Sequence, residues 1–224
     1  MSKLSSMSIR KRSLIAAAIN IIIFVAQVLC IASFFTVGGD GNMKSVGFRM
    51  FVYFTVDSNV FCAIAALCMV PFELKMAFKP GSRVPQWALL FKFMGTMTVT
   101  LTLLVVVVFL GPISGDYFGM FEGSNMHMHL MGPLMAIFSF CFLEDYELLP
   151  KSKKLLPLIP VVFYGTTYLV MVVFIGPEKG GWYDFYHFYF NGMWYVTYAI
   201  IVAVSTAVSL IEFGLNQRRF RHVR

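Results

Sequence analysis

Six long apolar runs, each closed by a short polar or Gly/Pro break, dominate this sequence. A helix rises 1.5 Å per residue, so about 20 apolar residues carry it across ~30 Å of hydrocarbon. The runs fall at roughly 13–37, 47–72, 87–111, 126–144, 155–176 and 188–213. They use most of the 224 residues and leave one transmembrane domain, residues 1–224. Composition agrees. At 58% hydrophobic and 13% charged residues, the chain has too few charges to cover a soluble domain. The expected fold class is all-α, a polytopic membrane helix bundle with six spans.

The breaks have local causes. Gly38, Gly39, Asp40, Gly41 and Asn42 form a turn signal after the first run. Lys79-Pro80-Gly81, Gly111-Pro112, the segment around Pro150 and Gly176-Pro177 close the later ones. Arg10, Lys11 and Arg12 precede the first run as in a signal peptide. That run is longer than a normal signal core and no small-x-small site closes it, so it reads as a retained anchor.

Net charge is +7, and the basic residues sit at the ends of the runs. Lys3, Arg10, Lys11, Arg12, Lys75, Lys79, Arg83, Lys151, Lys153, Lys154, Arg218, Arg219, Arg221 and Arg224 fall on one side of a six-span topology. Only Lys44, Arg49 and Lys179 fall on the other. Cytoplasmic loops carry the excess of Lys and Arg, so both termini are expected in the cytoplasm and the protein in a plasma (cytoplasmic) membrane. Trp182, Tyr183, Tyr186, Tyr189, Trp194 and Tyr195 match an interfacial aromatic belt on the outer side. Lys92, near the inner end of the third run, is expected to snorkel. No nucleic-acid motif is present, and the charge pattern is that of a membrane anchor. Cys30, Cys62, Cys68 and Cys141 lie inside apolar runs with no CxxC pair, so sheltered thiols are expected rather than disulfides or zinc ligands.

Polar residues inside such runs need a reason. A charged side chain at a helix centre costs ~3 kcal/mol on insertion scales and faces the bundle interior. In the second run Thr55, Ser58, Asn59 and Cys62 stand at i, i+3, i+4 and i+7, one stripe of a helix, with Asp57 on another face. Such a stripe serves helix packing, although packing alone needs neither Asp57 nor Asn59. The fourth run opens with Asn125, His127 and His129 above Gly132-Pro133. Asn125 and His129 share a face, and His127 points away as an interfacial residue. Counted from Gly47, Thr55 lies ~12 Å along its helix; counted from Asn125, His129 lies ~6 Å along its own. Asp184 and His187 stand at the outer mouth of the last run. The polar residues thus gather in the outer half, and nothing comparable is expected in the inner half.

At these residues the chain resembles the androgen-induced six-span membrane hydrolases. The similarity rests on Phe54-Thr55-Val56-Asp57-Ser58-Asn59, and on Asn125 and His129 followed by Pro133 and the acidic Glu144. The resemblance implies an intramembrane lipid-ester hydrolase with Thr55 as nucleophile and His129 as base. Asp57, Ser58, Asn59, Asn125 and His127 would support them. The family pattern has a spacing between His and Pro one residue longer than here, which bears on the choice between His129 and His127. The chemistry is coherent: a threonine hydroxyl needs a base, and neutral histidine suits that role. Ser58, Asn59 or the backbone freed at Pro133 are the candidate oxyanion donors. There is no Gly-x-Ser-x-Gly elbow, so this is no ordinary α/β-hydrolase. The expected partners are membrane lipids, with a fatty-acyl ester as substrate and no cofactor.

Two other readings stand beside it. One is a metal-dependent hydrolase using His127, His129, His187 and Asp184 or Asp57, though a two-residue His spacing suits a strand better than a helix. The other is a non-enzymatic transporter or sensor of lipids or small molecules. Transporters place polar groups at the midplane and are built from repeats, and no repeat is evident here.

Overall fold

The computed structural model describes residues 8–35 and 47–220. The expected turn at Gly38 to Asn42 lies outside them, as do Lys3, Lys44, Arg221 and Arg224. Among the described residues six helices are long and apolar enough to cross a membrane: α1 Ile9–Ser33, α2 Phe54–Phe78, α3 Gln86–Ser114, α4 Ser124–Leu143, α5 Lys151–Ile175 and α6 Trp194–Asn216. No strand occurs among the described residues. The protein is an all-α, multi-pass membrane helix bundle.

Contacts between helix ends fix the alternation of direction. At one end Arg10 lies over the Phe78 ring, Gln86 donates to the Leu148 carbonyl, and Gln217 donates to the Glu147 carbonyl. At the opposite end the Ser33 and Ser124 hydroxyls pair at 3.0 Å, the Gly47 N–H donates to the Phe34 carbonyl, and the Phe174 and Trp194 rings meet at 6.2 Å. The first group of contacts marks the end rich in Lys and Arg, called here the basic end.

Helices α1 to α4 form the tight centre. Gly95 on α3 lets α2 approach closely, because a Cβ there would stand 2.9 Å from Cys62 Cα. Cys62, Ala63, Ala66, Val99 and Ala136 fill the layer at that crossing, with Ile23 of α1 in the same layer, all almost fully buried. Toward the basic end Phe93 stacks on Phe140 at 5.0 Å. Helix α5 is the least buried and exposes Ile159, Phe163 and Phe174. In lipid these apolar faces are where they belong.

Gly-Pro pairs shape three of the spans. Val106–Leu110, His127–Met131 and Val170–Ile175 are π-helical turns, each followed directly by Gly111-Pro112, Gly132-Pro133 or Gly176-Pro177. Proline lacks the N–H that would bond the carbonyl four residues earlier, and its ring crowds that carbonyl. The turn widens instead, and the Gly132 N–H bonds the His127 carbonyl five residues back.

Several expectations need correction. Helix α2 starts at Phe54 rather than near Gly47, because Gly47–Val52 forms a separate 3-10 turn and Tyr53 is extended. Thr55 is thus the second residue of its helix, ~1.5 Å along the axis rather than ~12 Å. Helix α6 starts at Trp194 rather than near 188. Asp184 holds the preceding segment in a turn by accepting from the Phe188 and Tyr189 N–H groups at 2.7 and 2.8 Å. Lys92 does not snorkel: it is fully buried and donates to Asn20 Oδ1 at 2.5 Å. Cys30, Cys62 and Cys141 are buried free thiols, whereas Cys68 is only half-buried.

Candidate functional site

The second-span stripe faces inward as a polar seam. Thr55, Ser58, Asn59 and Cys62 are all buried, and Asp57 is half-buried in the first turn of α2. An acidic residue there complements the positive end of the helix dipole. The Ser58 hydroxyl pairs with Thr102 on α3 at 2.8 Å and donates to the Thr55 carbonyl at 3.1 Å. The Asn59 amide donates to the Thr55 carbonyl at 2.8 Å and to the Met128 carbonyl at 3.0 Å. Both of its hydrogens are therefore spent on backbone, and neither Ser58 nor Asn59 is a spare donor for a substrate.

The histidine segment is the π-helical turn above Pro133. His129 is buried, and its Nδ1 lies 2.6 Å from the Met120 carbonyl oxygen. A carbonyl only accepts, so Nδ1 carries the hydrogen and Nε2 of the neutral ring is left with its lone pair. The Phe121 ring meets His129 edge to face at 6.5 Å. His127 is not a simple interfacial residue. It is half-buried with an enclosed Nε2 that has no hydrogen-bond partner among the described residues. Its Cε1 and Asn59 Oδ1 both lie within 3.3 Å of the point where a Cβ on Gly132 would sit. Gly132 thus makes room for a histidine and an asparagine to share one space. Asn125 is buried one turn above His129.

A cavity of about 490 Å³ opens beside the stripe. Its walls come from α3, α5, α6 and the segment before α6, and Thr55 and Thr102 supply hydroxyls to an otherwise mostly apolar lining. Tyr186, which by sequence alone reads only as an aromatic-belt residue, is part of the cavity wall. Its hydroxyl faces Thr55 and Tyr164, and burial pushes its phenol up to about 12, so it stays protonated at neutral pH. Asp184 holds this wall in place, accepting from the Tyr168 hydroxyl at 3.1 Å, while Tyr168 in turn accepts from the Tyr186 N–H. His187, with φ +51°, also lines the cavity. His127 and His129 do not line it; they sit behind the first turn of α2, joined to it through Asn59. Among the described residues no three His, Cys, Asp or Glu side chains gather as a metal site, so His127, His129, His187, Asp184 and Asp57 do not form one donor set.

The end of the bundle expected to be bare is not. Toward the basic end, Asn20 of α1, Glu73 of α2, Lys92 of α3 and Glu144 at the end of α4 meet with no exposure to solvent. The Asn20 amide nitrogen lies 3.2 and 3.0 Å from the two Glu73 oxygens and 2.9 Å from Glu144 Oε1. Lys92 Nζ stands 3.7 Å from Glu144 Oε1, and the Ser139 hydroxyl donates to that same oxygen. Below them the buried Arg12 pairs with Asp145 and donates to the Leu143 carbonyl at 2.7 Å. The sequence signal was available: Glu73, Lys92 and Glu144 each stand near the end of an apolar run and pass for interfacial residues when read singly.

Compared with family models, curated proteins and solved structures, the chain matches none.

Proposed function

We propose that the protein is an intramembrane hydrolase of lipid esters, with Thr55 as nucleophile and His129 as base. The observation that carries this reading is Thr55 itself, a buried hydroxyl at the wall of an apolar cavity with room for an acyl chain. A bilayer supplies such chains directly, so membrane lipids are both surroundings and substrate pool. His129 suits a base because the Met120 carbonyl fixes its tautomer and leaves Nε2 as acceptor. Asn59 fastens the histidine segment to the Thr55 turn.

In this scheme Nε2 takes the Thr55 proton as Oγ1 attacks the acyl carbonyl. The tetrahedral oxyanion accepts from the Tyr186 hydroxyl, and the alkoxide leaves with the proton from His129. Water, deprotonated by the same histidine, then releases the acid and restores Thr55. Closing the base onto the hydroxyl brings the His129 ring past the first turn of α2, a motion compatible with a widened, Pro-interrupted turn.

The apolar lining also favours a second reading, a carrier or sensor that binds a lipid chain without reacting. Hydrolysis of medium-chain 4-nitrophenyl esters by the purified protein separates the two. Thr55→Ala and His129→Ala should each lower turnover at least 10²-fold, whereas His187→Ala should retain it. No turnover by wild type, with a fluorescent fatty acid still bound, supports the carrier. Loss only in His187→Ala moves the base to the cavity wall.

A further inference from the structure

The buried cluster at the basic end has a charge count that its neighbours do not balance. Glu73 and Glu144 bring two carboxylates and Lys92 one ammonium, all inaccessible to solvent. Lysine only donates, so the 2.5 Å contact from Lys92 fixes Asn20 Oδ1 as acceptor and points the Asn20 amide hydrogens at the acids. Two hydrogens then serve three carboxylate oxygens. Glu144 Oε2 is buried with no hydrogen-bond partner among the described residues. A surplus negative charge in a dry interior is strongly unfavourable, and two adjacent carboxylates resist both being ionised.

The surrounding groups do not remove the surplus. Arg12 on α1 is committed to Asp145. From α6, Glu212 adds another buried acid, held by the Thr100 hydroxyl at 2.5 Å. Between α4 and α5, Tyr146 faces Glu73 and Ser13. Burial and then the charges of Glu73 and Glu144 push its phenol above its ordinary range, so it brings a proton and no charge. Cys62 and Cys141 lie near as buried free thiols and bring no positive charge.

We propose that Asn20, Glu73, Lys92 and Glu144 form a proton-binding site that holds one exchangeable proton between the two glutamates, with Lys92 as its fixed counter-charge. The balance is simple: a hydronium from the basic face gives its proton to the carboxylate pair, water leaves, and the three-charge cluster passes from one net negative charge to none. Half-buried Tyr146, beside Arg12 and Ser13, marks the way in. The way onward is closed by the layer of Cys62, Ala63, Ala66, Val99 and Ala136, which separates the cluster from the Thr55 cavity. The site therefore loads and unloads from one face and is not a conduit.

Infrared difference spectra of the full-length protein in nanodiscs, recorded between acidic and alkaline buffer, test this. Wild type should show a carbonyl band of a protonated carboxylic acid that shifts in heavy water and titrates away as pH rises. Glu73→Gln and Glu144→Gln each remove the surplus charge, so each should lose that band while keeping its helix content. Either variant suffices if the other does not fold. Sodium added at constant pH should leave the band unchanged. Three results overturn the proposal: no such band in wild type at any pH where the protein stays folded, a band that persists in a folded Gln variant, or a band erased by sodium, which would make the site a metal-cation site.

Discussion

Asn59 donates its side-chain amide to the main-chain carbonyl of Met128 across 3.0 Å, and so locks the α2 stripe to the middle of the histidine turn. Its other contact, 2.8 Å to the Thr55 carbonyl, makes one side chain the link between both proposed catalytic segments. Asn59→Leu keeps bulk but breaks both bonds. Hydrogen bonds between membrane helices average ~0.6 kcal/mol, so a loss of about 1 kcal/mol is expected. It should appear as a modest drop in Tm in detergent. Ester turnover should fall much further, because the link sets the position of the base.

Tyr186→Phe keeps the ring that packs beside Phe185 and Tyr168 and removes only the hydroxyl facing Thr55. As the oxyanion donor it should cost on the order of 10²-fold in kcat with little change in KM. There is also a signature in stability. Burial raises this phenol from 10.0 to about 12 in the folded protein. Its contribution is present in full below pH 10.0 and is lost as pH rises toward about 12. Thermal melts across that window should decline less steeply in Tyr186→Phe than in wild type.

Thiol chemistry checks the packing. Cys30, Cys62 and Cys141 are buried, and Cys68 is half-buried within α2. A membrane-impermeant maleimide should label none of the four in intact cells. A lipid-soluble maleimide should modify Cys68 first. Fast modification of Cys62 by the impermeant reagent contradicts the α2–α3 packing at Gly95.

Topology rests on the charge asymmetry. Reporters fused at residue 2 and residue 224 should both report cytoplasm, since the basic residues gather at one end of the bundle. An extracytoplasmic signal from either fusion overturns that orientation.

Much of the fold could be read directly. Apolar run length gives six helices, because a bilayer demands closed backbone hydrogen bonding over a fixed thickness. The inward stripe of Thr55, Ser58, Asn59 and Cys62 follows from helical spacing. What sequence missed depended on the third dimension. Lys92 looks like a snorkelling residue until Asn20 and Glu144, from two other helices, are brought beside it. Tyr186 looks like a belt residue until Asp184 folds its segment back over Thr55. Gly47–Val52 is mostly apolar and helical and so reads as part of the span, yet Tyr53 breaks it from α2. Apolarity marks what lies in the membrane and not where a helix begins.

The central claim is that the Thr55 hydroxyl reacts, and its most direct test is covalent. Purified protein is treated with a long-chain fluorophosphonate, digested and sequenced by mass spectrometry. The account predicts one phosphonyl adduct on Thr55, formed at a rate that falls at least tenfold in His129→Ala and absent in Thr55→Ala. An unmodified Thr55 in protein that hydrolyses esters, or an adduct that persists undiminished in Thr55→Ala, contradicts it.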